Sequence, residues 1–280
     1  AQLQLVELGP GRGTLMADLL RAASVLPAFS QAVEVHFVEI SPTLRALQAE
    51  KVPDAHWHDG LAALPTSQGR PMIVLANEFF DALPIQQFRK TDSGWDEMMV
   101  AEAAEALVFT ERACDTAPFS PLQRLPEVET GDIVEACPDA EQVMRLLADK
   151  LTIAGGAALI IDYGYSAPSV GDSFQALRRH TYADPLANPG EADLTAHVNF
   201  SYLRDAATTS SLASTQIVQQ GAFLQALGLD VRAQALCASS PDRQRQILAE
   251  RDRLAAADQM GHLFKVLGLA SASCPPLAGF

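Results

Sequence analysis

Short apolar runs alternate with amphipathic stretches through the first half of the chain. The apolar runs predict strands at Leu3 to Leu8, Val33 to Val38, Ala55 to His58 and Met72 to Ala76. The stretches between them predict a helix from Thr14 to Leu26 and a second from Pro42 to about Ala49, with Ser41 as its N-cap. Such alternation is typical of βαβ units, so we expect an α/β fold with a mostly parallel sheet.

The pattern changes after Pro84, where two strands around a Thr91 to Gly94 turn predict an antiparallel hairpin inserted into the sheet. A loop from Ala113 to Pro126, a helix from Pro138 to Leu151 and a core strand from Ala157 to Tyr163 are expected to follow. Gly164 to Asn199 reads as a long surface loop. The remaining predictions are helices at Phe200 to Ala207, Ala222 to Leu227 and Asp242 to Ala257, and a last strand at His262 to Leu269.

Composition narrows the classes of protein. With 48% hydrophobic and 19% charged residues the chain can bury a core. The net charge of -14 disfavours a nucleic-acid partner, because a phosphate backbone is repelled. The longest apolar run is too short for membrane insertion. The four cysteines are scattered and read as reduced thiols. His56, His58 and Asp59 have the composition of a metal site but lack a further ligand cluster, so no metal is expected.

The strongest local signal is the segment from Glu7 to Gly13, in which glycine occupies positions 9, 11 and 13. Glycines let the backbone turn tightly, and a helix N-terminus offers free N–H groups to an anion, so the segment predicts a nucleotide-cofactor loop. A dinucleotide fingerprint would place its third glycine where Thr14 stands, which disfavours a nicotinamide-dependent oxidoreductase. The spacing looks like motif I of S-adenosylmethionine methyltransferases. A plain strand-to-helix turn is the alternative.

Carboxylates follow the next three predicted strands. Glu39 is placed to accept both hydrogen bonds of a ribose diol, or is a solvated charge at a strand end. Asp59 is placed to accept from an adenine amino group, or is a turn residue. After the fourth strand come Asn77, Glu78 and Asp81, where two carboxylates and an amide would face a substrate in the crevice. Glu78 and Asp81 are suited to gripping a guanidinium; a capping arrangement is the alternative.

Six separated segments together resemble one known family, the MidA-like methyltransferases. They are ELGPGRGTL (7–15), NEFFDALP (77–84), IIDYGY (160–165), DLTAHVNF (193–200), QGAFLQALG (220–228) and MGHLFKVLGLAS (260–271). The family includes the mitochondrial arginine methyltransferase that assists assembly of respiratory complex I.

The resemblance implies a Rossmann-like seven-stranded methyltransferase sheet with an inserted β-hairpin and extra helices. It also implies S-adenosylmethionine as cofactor and a protein arginine as acceptor, in a complex I subunit for the mitochondrial relative. By position, the three glycines with Glu7 would hold the methionine moiety and Glu39 the ribose. Asn77, Glu78 and Asp81 would form the catalytic, methyl-accepting end, and Asn77 would also bind the cofactor. We expect one domain over residues 1–280, with a hairpin and loop inserted at about 85–135 and substrate-side elements at about 165–258.

This sequence departs from the family pattern at two places. An N-terminal family segment is expected before the first strand and is absent from this sequence, and Asn199 stands where an acidic residue is expected. A non-catalytic, S-adenosylmethionine-binding assembly chaperone is the main alternative to an enzyme. A nucleic-acid base methyltransferase would carry Asn-Pro-Pro-aromatic where Glu78 follows Asn77. We expect a bacterial cytoplasm, or a mitochondrial matrix if the chain is eukaryotic.

Overall fold

A computed structural model describes residues 2–104, 106–114, 119–120, 123–179, 181–208 and 212–280. The chain forms two compact units. The first comprises Ala1–Phe79, Val143–Tyr163 and Ala207–Phe280, and the second comprises Phe80–Gln142 and Gly164–Ala206.

The bounds of the strands and helices are as follows. The strands are β1 (Leu3–Leu8), β2 (Val33–Val38), β3 (His56–His58), β4 (Met72–Asn77), β5 (Gln86–Lys90), β6 (Trp95–Ala103), β7 (Ala106–Cys114), β8 (Ile133–Ala136), β9 (Gly156–Tyr165), β10 (Gln175–Arg178), β11 (Thr181–Ala183), β12 (Asp193–Thr195), β13 (Val198–Asn199), β14 (Ala213–Ser214), β15 (Val218–Gln219) and β16 (Phe264–Ala270). The helices are α1 (Thr14–Ala23), α2 (Pro27–Ala32), α3 (Pro42–Lys51), α4 (Pro138–Ala154), α5 (Phe200–Ala207), α6 (Gln220–Ala226), α7 (Leu229–Ser239), α8 (Gln244–Ala255) and α9 (Met260–Leu263).

The first unit is built on one sheet with the strand order β14-β16-β9-β4-β1-β2-β3, and β15 pairs with β16. Neighbours from β9 to β3 are parallel, whereas β16 runs antiparallel to β9. The register sets Leu8 opposite both Val38 and Ala76. The carboxyl ends of β1, β2 and β4 therefore meet at one edge of the sheet, where ligands bind in open α/β folds.

Local sequence explains the first helices. The hydroxyl of Ser41 accepts a hydrogen bond from the Leu44 N–H at 3.3 Å, which caps α3 as predicted. The predicted helix from Thr14 to Leu26 is too long, because α1 ends at Ala23 and α2 begins at Pro27. A proline ring clashes with the preceding helical turn, so Pro27 starts a new helix instead of extending the first.

The second unit contains two antiparallel sheets, ordered β7-β6-β5-β8 and β11-β10-β12. The predicted hairpin is confirmed as β5 and β6, with Lys90 opposite Trp95, but it belongs to this separate sheet. The predicted loop from Ala113 begins inside β7, and its residues 115–118 and 121–122 lie outside the described residues. The long loop predicted from Gly164 to Asn199 was wrong, since it contains β10 to β13. Those strands have only two to four residues each and mixed polarity, so they show little period-two alternation.

Asn199 has a structural partner at the start of α5. Its side-chain oxygen accepts hydrogen bonds from the Ser201 hydroxyl at 2.7 Å and the Tyr202 N–H at 3.1 Å. An amide can serve as such a helix cap without a charge. Among the helices in the described ranges, none combines the length and hydrophobicity needed to cross a membrane.

Candidate cofactor and substrate site

A glycine loop joins β1 to α1. Gly9, Gly11 and Gly13 all have left-handed backbones, with φ of 59°, 51° and 71°, a conformation that costs little only for glycine. A Cβ atom on Gly9 would lie 2.9 Å from the Phe79 ring, whereas one on Gly11 would meet no atom within 4 Å. Gly11 thus borders open space, where a ligand can approach the backbone.

A cavity of about 260 Å³ lies beside this loop within the first unit. It is lined by Leu8, Gly9, Val38, Glu39, Ile40, Asp59, Gly60, Leu61, Phe79 and Val143. Three residues predicted to bind cofactor, Gly9, Glu39 and Asp59, therefore lie around the same cavity. The fold brings them together because β1 and β2 end at the same edge and β3 pairs in parallel with β2.

The Glu39 carboxylate is nearly buried and held at both oxygens. Oε1 accepts the Ser41 N–H at 2.8 Å and Oε2 accepts the Gln48 amide at 3.3 Å. Arg45 donates to the Glu39 carbonyl at 2.7 Å and to Oδ1 of Asp59 at 2.6 Å, although the Asp59 side chain is 89% exposed. These contacts fix the position of Glu39 and anchor Asp59 beside it.

Gln48 is a site residue that the sequence analysis did not identify. Its buried amide donates to the Gly11 carbonyl at 2.7 Å and to Glu39, and its side-chain oxygen accepts the Trp57 N–H at 2.8 Å. The sequence does contain one signal, because Gln48 lies one helical turn before the buried Val52. Through Gln48, the glycine loop, β2 and β3 share one hydrogen-bond network.

Glu7 lies beneath the loop with only 3% of its surface exposed. Burial raises its pKa to about 7, an effect that a hydrogen bond with the Met16 backbone opposes. Its Oε2 has no hydrogen-bond partner among the residues that the structure describes. A buried carboxyl oxygen without a donor suits a nearby cationic or hydrogen-bonding ligand.

The last residue of β4 and the turn that follows it carry two of the three predicted catalytic residues, Asn77 and Glu78. Glu78 is exposed and has a left-handed backbone, with φ of 48°, which is uncommon for a side chain other than glycine. The Asn77 amide donates to Oε1 of Glu78 at 3.3 Å, and the Glu78 N–H donates to the Ile161 carbonyl at 3.0 Å. The next N–H, of Phe79, donates to Asp162 at 3.2 Å. Asp162, fully buried in β9, is a second residue that sequence reasoning missed.

The third predicted catalytic residue, Asp81, belongs to the second unit. It is 6% exposed, and its carbonyl accepts the Ala196 N–H at 3.0 Å. No helix begins between residues 79 and 90, all of which are described, so Asp81 caps no helix there. Glu78 and Asp81 are thus neighbours in the chain that belong to different compact units.

The predicted histidines lie on β3 against β2. Nε2 of His58 is 3.0 Å from Nδ1 of His36, whose pKa is lowered to about 4 chiefly by burial. Nε2 of His56 is 3.4 Å from Glu34. Within the described part of the chain, no three His, Cys, Asp or Glu side chains form a group that could hold a metal ion.

Comparison with known proteins identifies the family. Residues 1–218 match the model of a family of S-adenosyl-L-methionine-dependent methyltransferases. The chain belongs to this family. It is 38% identical to the protein arginine methyltransferase NDUFAF7, mitochondrial, of Mus musculus and 36% identical to that of Homo sapiens. Each match covers 95% of this chain and 66% of the relative. The chain therefore spans about two thirds of the length of these curated relatives.

Two crystal structures from Burkholderia thailandensis show the same fold. One, bound to S-adenosyl-homocysteine, is 27% identical with a TM-score of 0.86 and covers all of this chain and 74% of its own. The native structure is also 27% identical, with a TM-score of 0.84 and 76% of its own chain covered. The predicted family resemblance and α/β methyltransferase fold are confirmed.

The residues present fit the family's cofactor, S-adenosylmethionine. Its amino-acid end needs close backbone approach, which Gly11 permits, and its ribose diol needs an acceptor, which Glu39 supplies. Glu7 offers a buried carboxyl oxygen in the strand that leads into the loop. The roles of the individual residues stay predictions.

Replacing Gln48 with methionine keeps the size of the side chain and removes its hydrogen bonds. Each buried group left unsatisfied costs about 1–3 kcal/mol, so we expect a lower free energy of unfolding. Affinity for S-adenosyl-homocysteine should fall by about tenfold, the equivalent of one such bond. Calorimetric titration and urea unfolding measure both. Glu50→Met, at an exposed position of α3, is the matched control; equal behaviour of the two variants would contradict the role of Gln48.

Glu7→Gln should change how stability depends on pH. Because the folded pKa is about 7 and the ordinary value 4.5, the folded state binds more protons between these values, and the free energy of unfolding falls as pH rises through this window. Glu7→Gln has no ionisable side chain at this position, so its free energy of unfolding does not fall for this reason. The stability of Glu7→Gln minus that of the wild type should therefore increase by about 3 kcal/mol between pH 4.5 and pH 8. His36 titrates in both proteins, so its contribution cancels in the stability difference between them. If this difference does not change with pH, the raised pKa of Glu7 is refuted.

Proposed function

We propose that this chain transfers a methyl group from S-adenosylmethionine to an arginine side chain of a protein. The observation that carries the proposal is the arrangement of one sheet edge. Gly9 of the glycine loop, Glu39 and Asp59 line one cavity there, and Phe79, which lines the same cavity, directly follows the exposed Glu78. The names of the NDUFAF7 relatives support arginine as the acceptor.

In this proposal the first unit binds the cofactor. Gly9, Gly11 and Gly13 present backbone to its methionine moiety, Glu39 accepts from the ribose hydroxyls, and Asp59 accepts from the adenine amino group. When bound, S-adenosylmethionine supplies a methyl group activated by a positively charged sulfur. The contacts of Ser41 and Gln48 hold the Glu39 carboxylate in place before binding, which reduces the ordering needed afterwards.

Glu78 is proposed to position the acceptor. Its carboxylate would receive charge-assisted hydrogen bonds from the guanidinium and stabilise the extra positive charge that forms as the nitrogen is methylated. Asn77 holds one Glu78 oxygen, and Asp162 fixes the backbone of the following residue. Such support explains how a strained φ persists at this position.

Asp81 is proposed as a second carboxylate toward the acceptor. A complex I subunit as the acceptor protein is a finer proposal that rests on the family resemblance. The relatives are named as mitochondrial, and the compartment of this chain stays a prediction. A non-catalytic assembly chaperone would bind the same cofactor without turnover.

Glu78→Gln keeps the size of the side chain and one acceptor oxygen but removes the charge. Methyl transfer should therefore fall by about 100-fold, while affinity for S-adenosyl-homocysteine barely changes. The assay incubates the protein with tritiated S-adenosylmethionine and extract from cells that lack it, followed by identification of the labelled protein and residue.

The control for this assay is Glu50→Gln, which makes the same charge change at an exposed site on α3 and should retain full activity. If Glu78 serves only the turn, its variant will have a lower melting temperature but normal activity per folded molecule. That outcome would remove Glu78 from the catalytic proposal. A wild-type chain that binds cofactor yet labels no protein would favour the chaperone.

A further inference from the structure

Acidic charge is concentrated in the second unit. This unit carries 19 of the 34 acidic residues but only seven of the 20 basic residues, so its formal net charge is -12. The first unit, with 15 acidic and 13 basic residues, has a net charge of -2. The negative field of the protein therefore arises almost wholly from the unit that does not hold the cofactor cavity.

The same unit contains an open apolar groove with a volume of about 370 Å³. Val100 of β6 and Phe109 of β7 face each other across the ladder on one wall and are 52% and 44% exposed. Leu194, which also lines the groove, is 45% exposed. Three large apolar side chains left in water around one concave surface are typical of a binding site.

The groove contains parts of two of the quoted sequence motifs. Asp81 is its first lining residue in the chain, and Ala196, whose N–H donates to the Asp81 carbonyl, lines it too. Asp81 follows Glu78 by three residues. One lining side chain, that of Gln87, is itself held by carboxylates, donating to Glu135 at 2.9 Å and to Asp172 at 2.7 Å. The groove thus has largely apolar walls and lies in a unit with a formal net charge of -12.

We propose that this groove binds a segment of a basic protein substrate that contains apolar residues. Apolar side chains of the segment would fill the groove, and its lysines or arginines would lie against the acidic surface around it. The proposal rests on the function proposed above and adds the chemistry of the partner. It also assigns a role to the β6–β7 hairpin.

Charge selects this occupant over others. A second copy of the chain would bring another unit of charge -12 against the first, and like charges repel. The same electrostatic repulsion disfavours nucleic acids and anionic lipid surfaces, because both carry negative charge. A segment with basic and apolar residues would offset the negative charge of the unit and would bury the exposed apolar side chains of the groove.

The test measures binding of fluorescent twelve-residue peptides by anisotropy, which requires no methyl transfer. The first peptide has leucines and lysines around a central arginine, the second has glutamates in place of the lysines, and the third has serines in place of the leucines. The wild type should bind the first at least about tenfold more tightly than either of the others. Phe109→Ser should lose about tenfold in affinity for the first peptide, with unchanged affinity for S-adenosyl-homocysteine.

Val108→Ser is the matched control, because Val108 is a 37% exposed apolar residue of the same strand that does not line the groove. It should bind the first peptide like the wild type. Equal binding of the three peptides, or equal binding by Phe109→Ser and the wild type, would overturn the proposal, as would concentration-dependent self-association through the groove. Failure of the arginine methyltransferase function would appear separately, as absent tritium transfer with peptide binding intact.

Discussion

The buried amide of Gln48 is the interaction on which the cofactor side of this protein depends. One side chain contacts the carbonyl of Gly11, the carboxylate of Glu39 and the indole of Trp57. These groups come from the glycine loop, the end of β2 and β3, so the hydrogen bonds of one residue set their spacing. Left-handed glycines make the loop possible, but they do not specify where it lies relative to the Glu39 carboxylate. Buried polar networks of this kind hold a geometry because every unsatisfied member would be costly.

Hydrogen bonds also hold the residues of the proposed acceptor site at the end of β4. Asp162 is buried in β9 and binds the backbone of Phe79, while Asn77 holds Glu78. A carboxylate is thereby presented to solvent on a strained backbone directly after a rigid strand. In the proposed function, the residues that bind the cofactor and the acceptor are held in place by Gln48 and Asp162, which need not contact either molecule. The acidic second unit adds the means to attract a basic partner.

Strands rich in apolar and β-branched residues were predictable from the pattern alone. The bounds of β1 and β2 agree with the prediction residue for residue, because both strands are buried in the centre of the sheet. The strands of two to four residues between Gln175 and Asn199 were not predictable, since they are short, have little periodicity and are stabilised by pairing with other strands. Glu39 was identifiable because it directly follows a strand. Gln48 and Asp162 were not identified, because their importance lies in tertiary hydrogen bonds. The spacing of Gln48 from Val52 indicates its face of α3 but not these partners.

A crystal structure of this chain with S-adenosyl-homocysteine would test directly whether Gly11, Glu39 and Asp59 form the cofactor site. The ribose hydroxyls should lie within hydrogen-bond distance of the Glu39 carboxylate. The homocysteine backbone should lie against Gly11, and the adenine should lie beside Asp59. The Gln48 contacts should be unchanged in the complex. A ligand bound elsewhere, or a ribose held by other residues with Glu39 turned away, would contradict it.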